Sequence, residues 1–428
     1  MFDNVPLAEV DPHADEAALI EQIAWLERVK SAAAAGQARA SALLDASRRA
    51  GEAAAGVPAA KRGRGVSSEI ALARRVSPSQ GGRHLGFAKA LVDEMPHTLA
   101  ALESGVLSER RATLIVRESA CLSVADRRAL DDEMCSDVRA LEGKGDARIA
   151  ADAKAIAYRL DPHAFVERAA RAEADRTVTI RPAPDTMAYV TALLPMRQGV
   201  SVYAALKRAS DTTFDGRGRG QVMADTLVER VTGRPAEVPE PIAVNLVMSD
   251  EALLGGDTSP ALVDGYGPIP AEVARALVVG AALDQRSRAT LRRLYKRPDS
   301  GALVAMESRS RRFPRAMARF IGLRDQRCRT PYCDAPIRHR DHALPDRRGG
   351  PTHLVNGLGM CERCNYVKEA PGWQVQTCEV DGTHHAEFTT PTGAHYHSTA
   401  PPLPGHPAVH LSEIEACISV TLANLHAA

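Results

Sequence analysis

Two cysteine pairs, Cys328 with Cys333 (C-x4-C) and Cys361 with Cys364 (C-x2-C), constrain this chain more than any other feature of its sequence. Four thiolates at such spacings suit a closed tetrahedral zinc site. A purely structural zinc module needs no particular chemistry between or beside its cysteine pairs. Here Asp341, His342 and Asn356 lie between them, and Asn365 and Lys368 follow the last cysteine. The remaining cysteines, Cys121, Cys135, Cys378 and Cys417, stand singly. That pattern fits metal binding plus isolated buried thiols in a reducing compartment, not a disulfide framework.

At 428 residues the chain exceeds what one hydrophobic core usually serves, so two or three domains are expected. The overall balance of 54 basic to 53 acidic side chains conceals a local bias: residues 309–348 hold twelve arginines against four aspartates. Aromatics make up only 4% of the chain, and alanine and arginine are abundant, a mix that favours helices and names no activity. The first 16 residues are acidic without an apolar h-region, and no run approaches the ~18 apolar residues of a membrane span. The expectation is a cytoplasmic protein with no membrane partner.

Residues 1–172 show helical periodicity, with Leu19, Ile23 and Leu26 opening one amphipathic stretch and Leu85, Ala88, Leu91, Val92 and Met95 marking another. A helical domain is expected there. From Arg176 the pattern turns to alternation: residues 177–180 and 187–190 read as a strand pair around a Pro-Ala-Pro-Asp turn. Residues 173–308 should form a small mixed α/β segment that continues the helical domain, with a glycine-rich loop at 215–220, a helix over 221–232 and a strand over 242–248. An arginine-rich helix over 314–324, started by proline, leads into the cysteine module at 309–373. A β-like stretch and a final helix, with Ser412 and Glu415 as a capping box, should complete 374–428.

If Cys361 opens the last helix of the module, Cys361 and Cys364 share one face, while Asn365 and Lys368 lie on another, one turn apart. One helix can then serve two sites. Oxygen donors from an aspartate and an asparagine are hard ligands suited to Mg2+ or Mn2+. A neutral His342 beside them can accept a proton from an attacking water near neutral pH. One general base, one Lewis-acid metal and a basic approach surface together suit phosphodiester hydrolysis. Arg315, Arg319, Arg324, Arg327 and Arg329 supply that surface, with sequence-independent, salt-sensitive affinity for backbone phosphates.

Over roughly residues 324–373 these motifs resemble the HNH, or ββα-metal, endonucleases, in the variant with a D-H start, a central N and a C-x2-C-N-x2-K ending. The resemblance implies a zinc-stabilised, treble-clef-like ββα-metal module that cuts DNA. It implies His342 as general base, Asp341 and Asn365 as ligands of a catalytic Mg2+ or Mn2+, and Asn356 as the brace that orients His342. Lys368 would contact phosphate, and Cys328, Cys333, Cys361 and Cys364 would bind structural Zn2+. Asparagine stands at 365 where many members carry histidine, which leaves the metal preference open. The N-terminal half resembles the helical domain of unknown function that precedes such modules in the actinobacterial 13E12-repeat family, through S-E-I-A-L-A-R-R-V-S-P at 68–78 and, after the module, T-P-T-G-A-H-Y at 390–396.

Other candidates carry less. His339 is a possible zinc ligand or base, but four cysteines already complete a zinc site. His353 fits a hairpin loop, and His384, His385, His395 and His397 fit exposed strand positions. The G-R-G-R-G run at 216–220 lacks the spacing of a nucleotide-binding fingerprint, and Trp373 should close the small core under the module. A metal-dependent DNA endonuclease and a non-cutting, zinc-stabilised nucleic-acid-binding module both remain. The presence of all five polar residues favours the first.

Overall fold

In a computed structural model, residues 9–236, 246–263, 266–283 and 313–404 are described. The expected C-terminal helix and most of the expected 242–248 strand lie outside these residues. The chain divides into two compact units, Met1–Asp175 and Arg176–Ala428.

The first unit is helical, as its periodicity predicts. It comprises α1 (Glu16–Ala54), α2 (Val66–Ala73), α3 (Pro78–Lys89), α4 (Pro96–Glu103), α5 (Glu109–Glu118), α6 (Val124–Cys135), α7 (Asp146–Leu160) and α8 (Pro162–Ala172). Several of these helices open with a side-chain cap: Asp15, Ser77, Ser108 and Ser123 each accept a backbone N–H of the first turn, which satisfies one of the donors a helix start leaves open. The expected stripe at Leu19, Ile23 and Leu26 is not the face α1 buries, and Ile23 is 62% exposed. Its buried face is Ser31, Ala34, Ala35, Ala38, Ser41, Ala42 and Asp45. These small side chains recur every three or four residues and let α3 and α4 pack close against α1. Leu91, Met95, Leu102, Leu107, Ile115, Leu130 and Ile149 fill the core, all fully buried. At the base of α4, the buried carboxylate of Asp131 from α6 accepts His97 N at 2.7 Å, Thr98 N at 2.8 Å and Thr98 Oγ1 at 2.5 Å.

The second unit begins with the antiparallel hairpin β1 (Thr177–Pro182) and β2 (Ala188–Leu193), Thr177 facing Leu193. Then come α9 (Met196–Thr212), α10 (Arg219–Thr232), β3 (Leu246–Val247), α11 (Asp250–Leu254), β4 (Ala261–Val263), β5 (Gly267–Ile269) and α12 (Ala271–Leu283). Strands β3, β4 and β5 form one small sheet. After α13 (Arg315–Asp325), a second hairpin pairs β6 (His339–His342) with β7 (Gly357–Met360), His339 opposite Met360 and His342 opposite Gly357. The short helix α14 (Glu362–Val367) follows, then a meander of β8 (Gln374–Val380), β9 (Thr383–Thr389) and β10 (His395–Thr399). Leu358, Met360, Val375, Ala386 and Phe388 pack in one cluster with the four paired cysteines. Met317 and Ile321 of α13 pack with Leu354.

Two glycines of α3 separate packing from propensity. A Cβ at Gly81 would stand 2.3 Å from Ser67 O and 2.5 Å from Ala71 Cβ, whereas one at Gly86 meets nothing within 4 Å. Gly81→Ala should therefore cost about 1–3 kcal/mol through overpacking between α2 and α3. Gly86→Ala should stabilise by roughly 0.5–1 kcal/mol through helix propensity. Urea denaturation followed by circular dichroism compares the two, and effects of the same sign would refute this account of the crossing.

Candidate metal centre and active site

The cysteine ligands are assembled by two turns. The segment from Cys328 to Cys333 folds back through Tyr332, which takes a positive φ of 61°, and Cys361 caps α14, its Sγ accepting Cys364 N at 3.4 Å. All four sulfurs lie within 4.8 Å of one another and all four residues are buried. Cys333 Sγ is 3.8 Å from Cys361 Sγ and 3.7 Å from Cys364 Sγ. A tetrahedral zinc with 2.3 Å bonds sets its sulfurs about 3.8 Å apart, so the donor set fits Zn2+. Crowding among the sulfurs drives their ionisations apart. Hydrogen bonds with Cys328, Cys333 and Cys364 pull the Cys361 thiol far down, while those with Cys328, Cys333 and Cys361 push Cys364 up. His339 is not part of the cluster: its ring lies 6.2 Å from that of Tyr366.

Alternation along β6 divides its side chains. Asp341 is half-buried on the α14 side, where its Oδ2 lies 3.0 Å from Lys368 Nζ. Burial opposes ionisation of Asp341, but Lys368 and the His342 backbone N–H outweigh it and hold the carboxyl below its ordinary range. His342 is 5% exposed and lies under Phe313, ring centroids 4.6 Å apart. Its Nε2 is 2.8 Å from Thr352 Oγ1 and its Nδ1 is 3.6 Å from Asp341 Oδ1.

Asn356 ties the loop between β6 and β7 into one piece. Its Oδ1 accepts Leu344 N at 2.9 Å, and its Nδ2 donates to Leu344 O at 3.0 Å and Pro351 O at 2.8 Å. Gly350 makes this closure possible, since a Cβ there would stand 1.8 Å from Leu344 O. The loop carries Thr352, so Asn356 acts on His342 through the segment that holds Thr352. On α14, Asn365 Oδ1 is buried with no hydrogen-bond partner. An orphaned acceptor of this kind is costly unless something fills it. An amide oxygen and a carboxylate such as that of Asp341 are each hard donors of the kind Mg2+ or Mn2+ takes.

Three expectations are corrected. Arg324 and Arg329, read from the sequence as nucleic-acid contacts, are 7% and 3% exposed and serve the fold. Arg324 pairs with Asp325 at 2.8 Å and donates to Leu354 O and Gly357 O, and Arg329 pairs with Asp325 at 2.9 Å and donates to His384 O and Ser398 O. Lys368, read as a phosphate contact, is buried between the carboxylates of Asp341 and Glu369. His384, read as an exposed strand residue, is buried because β9 turns 384, 386 and 388 to the core. Its Nε2 meets Val355 O at 2.8 Å. Arg315, Arg319 and Arg327 are exposed. Sequence reasoning passed over Asp325, Phe313 and Thr352, none of which carries a motif. His384 was within reach, because its period-2 match with Ala386 and Phe388 marks the inner face.

A helical unit joined to an α/β unit that holds a buried four-cysteine cluster defines the class: a two-unit protein with a module fit for structural zinc. No helix among the described residues is long and apolar enough to cross a membrane. The chain belongs to the DUF222 family, a domain of unknown function whose model matches residues 23–325. That stretch runs from within α1 to the last residue of α13, so the N-terminal half does carry a domain of unknown function. No curated protein and no solved structure matches the chain.

Two measurements test this geometry. Structural zinc contributes an apparent ~10–16 kcal/mol to small modules, as much as a whole domain's stability of ~5–15 kcal/mol. Chelation, or Cys364→Ser, should therefore melt the cysteine module and release stoichiometric zinc while the helical unit keeps its circular dichroism. Metal-free purified protein with an unchanged near-ultraviolet spectrum would refute the assignment. The second concerns His384, whose pKa is lowered to about 4 by burial and by the nearby Arg324 guanidinium. The unfolded chain binds the His384 proton from about pH 6.5 downward and the folded chain only from about pH 4. Stability should thus be complete above pH 6.5 and fall by on the order of 3 kcal/mol between pH 6.5 and 4. The stability gap between wild type and His384→Gln should narrow by that amount over this window. A gap constant with pH would exclude a neutral buried imidazole.

Proposed function

We propose that the segment from α13 to α14 is a metal-dependent endonuclease site of the HNH type that hydrolyses DNA phosphodiester bonds. The observation that carries this reading is the placement of His342, its Nε2 held 2.8 Å from Thr352 Oγ1 and its Nδ1 on the side of the Asp341 carboxylate at 3.6 Å. When Nε2–H donates to Thr352, the Nδ1 lone pair is left to accept a proton from water. Asp341 and Asn365 would hold a hard divalent cation, which supplies Lewis-acid polarisation of the phosphate and neutralises charge on the departing oxygen.

His342 takes the proton of the attacking water as its oxygen forms the new P–O bond, and the bridging ester oxygen departs and is protonated from solvent. Thr352 and the Asn356-braced loop hold the imidazole in one orientation. Arg315, Arg319 and Arg327, exposed along and after α13, would counter the phosphates of the approaching strand. Lys368 sets the charge around Asp341 and would reach a phosphate only by leaving its carboxylate partners.

The burial of His342 beneath Phe313 favours a second reading, a zinc-stabilised module that binds nucleic acid without cutting it. Supercoiled plasmid with zinc-loaded protein and Mg2+ or Mn2+ separates the two. Nicking should appear only with the added cation. His342→Ala should lose roughly a hundredfold or more, and Thr352→Val about tenfold or more, since partners that orient an active group are worth 10–100-fold. Absence of metal-dependent nicking, or equal nicking by His342→Ala, would leave the non-cutting reading.

A further inference from the structure

A cavity of about 300 Å³ lies between α13 and the segment that leads from Gln326 into β6, with Arg319, Arg327 and Arg340 in its lining. We propose that it is a phosphate site that grips the nucleic-acid backbone beside the phosphate presented to His342, with Arg340 as its principal cation. The proposal rests on the nucleic-acid reading above and adds to it a residue and a place.

Arg340 shares with His342 the side of β6 that meets α13. His342 lies against Phe313, and Arg340 lies over Gly322, where a Cβ would stand 3.1 Å from its Nη2. A glycine inside a helix costs roughly 0.5–1 kcal/mol relative to alanine. Gly322 lies inside α13, and the room it leaves goes to the Arg340 guanidinium. Among the described residues Arg340 has no carboxylate partner, in contrast to the buried Arg324 and Arg329, so its fork of donors remains open to a ligand.

Arg327 is turned toward the same cavity by donating from Nη1 to Asp334 O at 3.3 Å. Leu323, Pro336 and Ile337 supply apolar wall, which lowers the local dielectric and strengthens a charge pair formed there. Asp334 is the one carboxylate in the lining, against three arginines, so the pocket favours an anion. Planar guanidinium forks match the paired oxygens of a phosphate. Residues 340 and 342 are two apart on one strand, roughly 6.8 Å. At about 3.4 Å of axial rise per nucleotide, that separation is one or two nucleotides along the same strand. A phosphate held at Arg340 would fix the register of the phosphate that reaches His342.

Fluorescence anisotropy of zinc-loaded protein without added Mg2+, using fluorescein-labelled 16-mer DNA, single-stranded and duplex, between 50 and 300 mM salt, tests this. Arg340→Gln should weaken binding about 5- to 20-fold and reduce the slope of log K against log salt by about one. Arg340→Lys should restore the slope but not the full affinity, because it keeps the charge and loses the fork. Gly322→Leu, which fills the cavity and removes no charge, should weaken binding as Arg340→Gln does, with zinc content and circular dichroism unchanged. Wild-type affinity in Arg340→Gln and Gly322→Leu overturns the proposal. So does a thermal shift by inorganic phosphate that Arg340→Gln abolishes while strand binding stays intact, since the pocket would then be a free-anion site. Wild-type binding that obeys these expectations, together with no nicking of supercoiled plasmid once Mg2+ or Mn2+ is added, sinks the endonuclease reading alone, whereas no binding to either DNA at 50 mM salt sinks both.

Discussion

A single buried carboxylate, Asp325, holds the cysteine module in register. It is 2% exposed and lies between two guanidiniums while also accepting Gly359 N at 2.6 Å. Burial opposes its ionisation, but Arg324 and Arg329 overcome that and keep it charged. Each arginine then carries the link onward: Arg324 to the carbonyls at the start of β7, and Arg329 to His384 and Ser398 in the β8–β10 meander. One anion thus fixes a helix, a hairpin and a sheet to one another. Such ion networks add little net stability over an apolar core of the same size, but with one partner missing they leave a buried charge unpaired. Their effect is to permit one arrangement and penalise the others.

The β6–β7 hairpin, which carries the proposed site, is held at both ends. At the β6 start and β7 end, Met360 packs with the cysteines and the Asp325 network grips Gly359. At the other end, Asn356 closes the loop that carries Thr352. Helix α14 serves both purposes: Cys361 and Cys364 go to the cluster, while Lys368 reaches back to Asp341. Functional groups held on braced secondary structure keep their geometry better than groups on free loops. That is the physical content of assigning the cysteines a supporting role and the chemistry to the residues between and beside them.

The DUF222 match ends at Asp325, which is also the hub residue. The last helix of the family region therefore packs on a hairpin that lies beyond it, and the Arg324-Asp325 pair joins the two. The family region and the cysteine module share side chains at this junction, so α13 belongs structurally to both. A functional account of this chain has to treat the junction as part of the module.

Residue type and spacing alone determined the cysteine cluster, the Asp341-His342 pair, the helix before the module and the first hairpin. Each is a local matter, set by ligand chemistry, by helix or strand period, or by a proline. What the local pattern could not decide was which arginine meets solvent. Arg324 and Arg329 read like Arg315, Arg319 and Arg327, and only the packing of α13 on β7, with Asp325 between them, separates the buried from the exposed. Lys368 is another such case, since its partners come from β6 and from its own neighbour Glu369. The sequence determined which chemical groups are available; the tertiary structure decided which of them are consumed in pairing with one another. The reason is physical: charge is a property of a side chain, whereas desolvation and partner distance are properties of its surroundings, and these exist only once distant segments have packed.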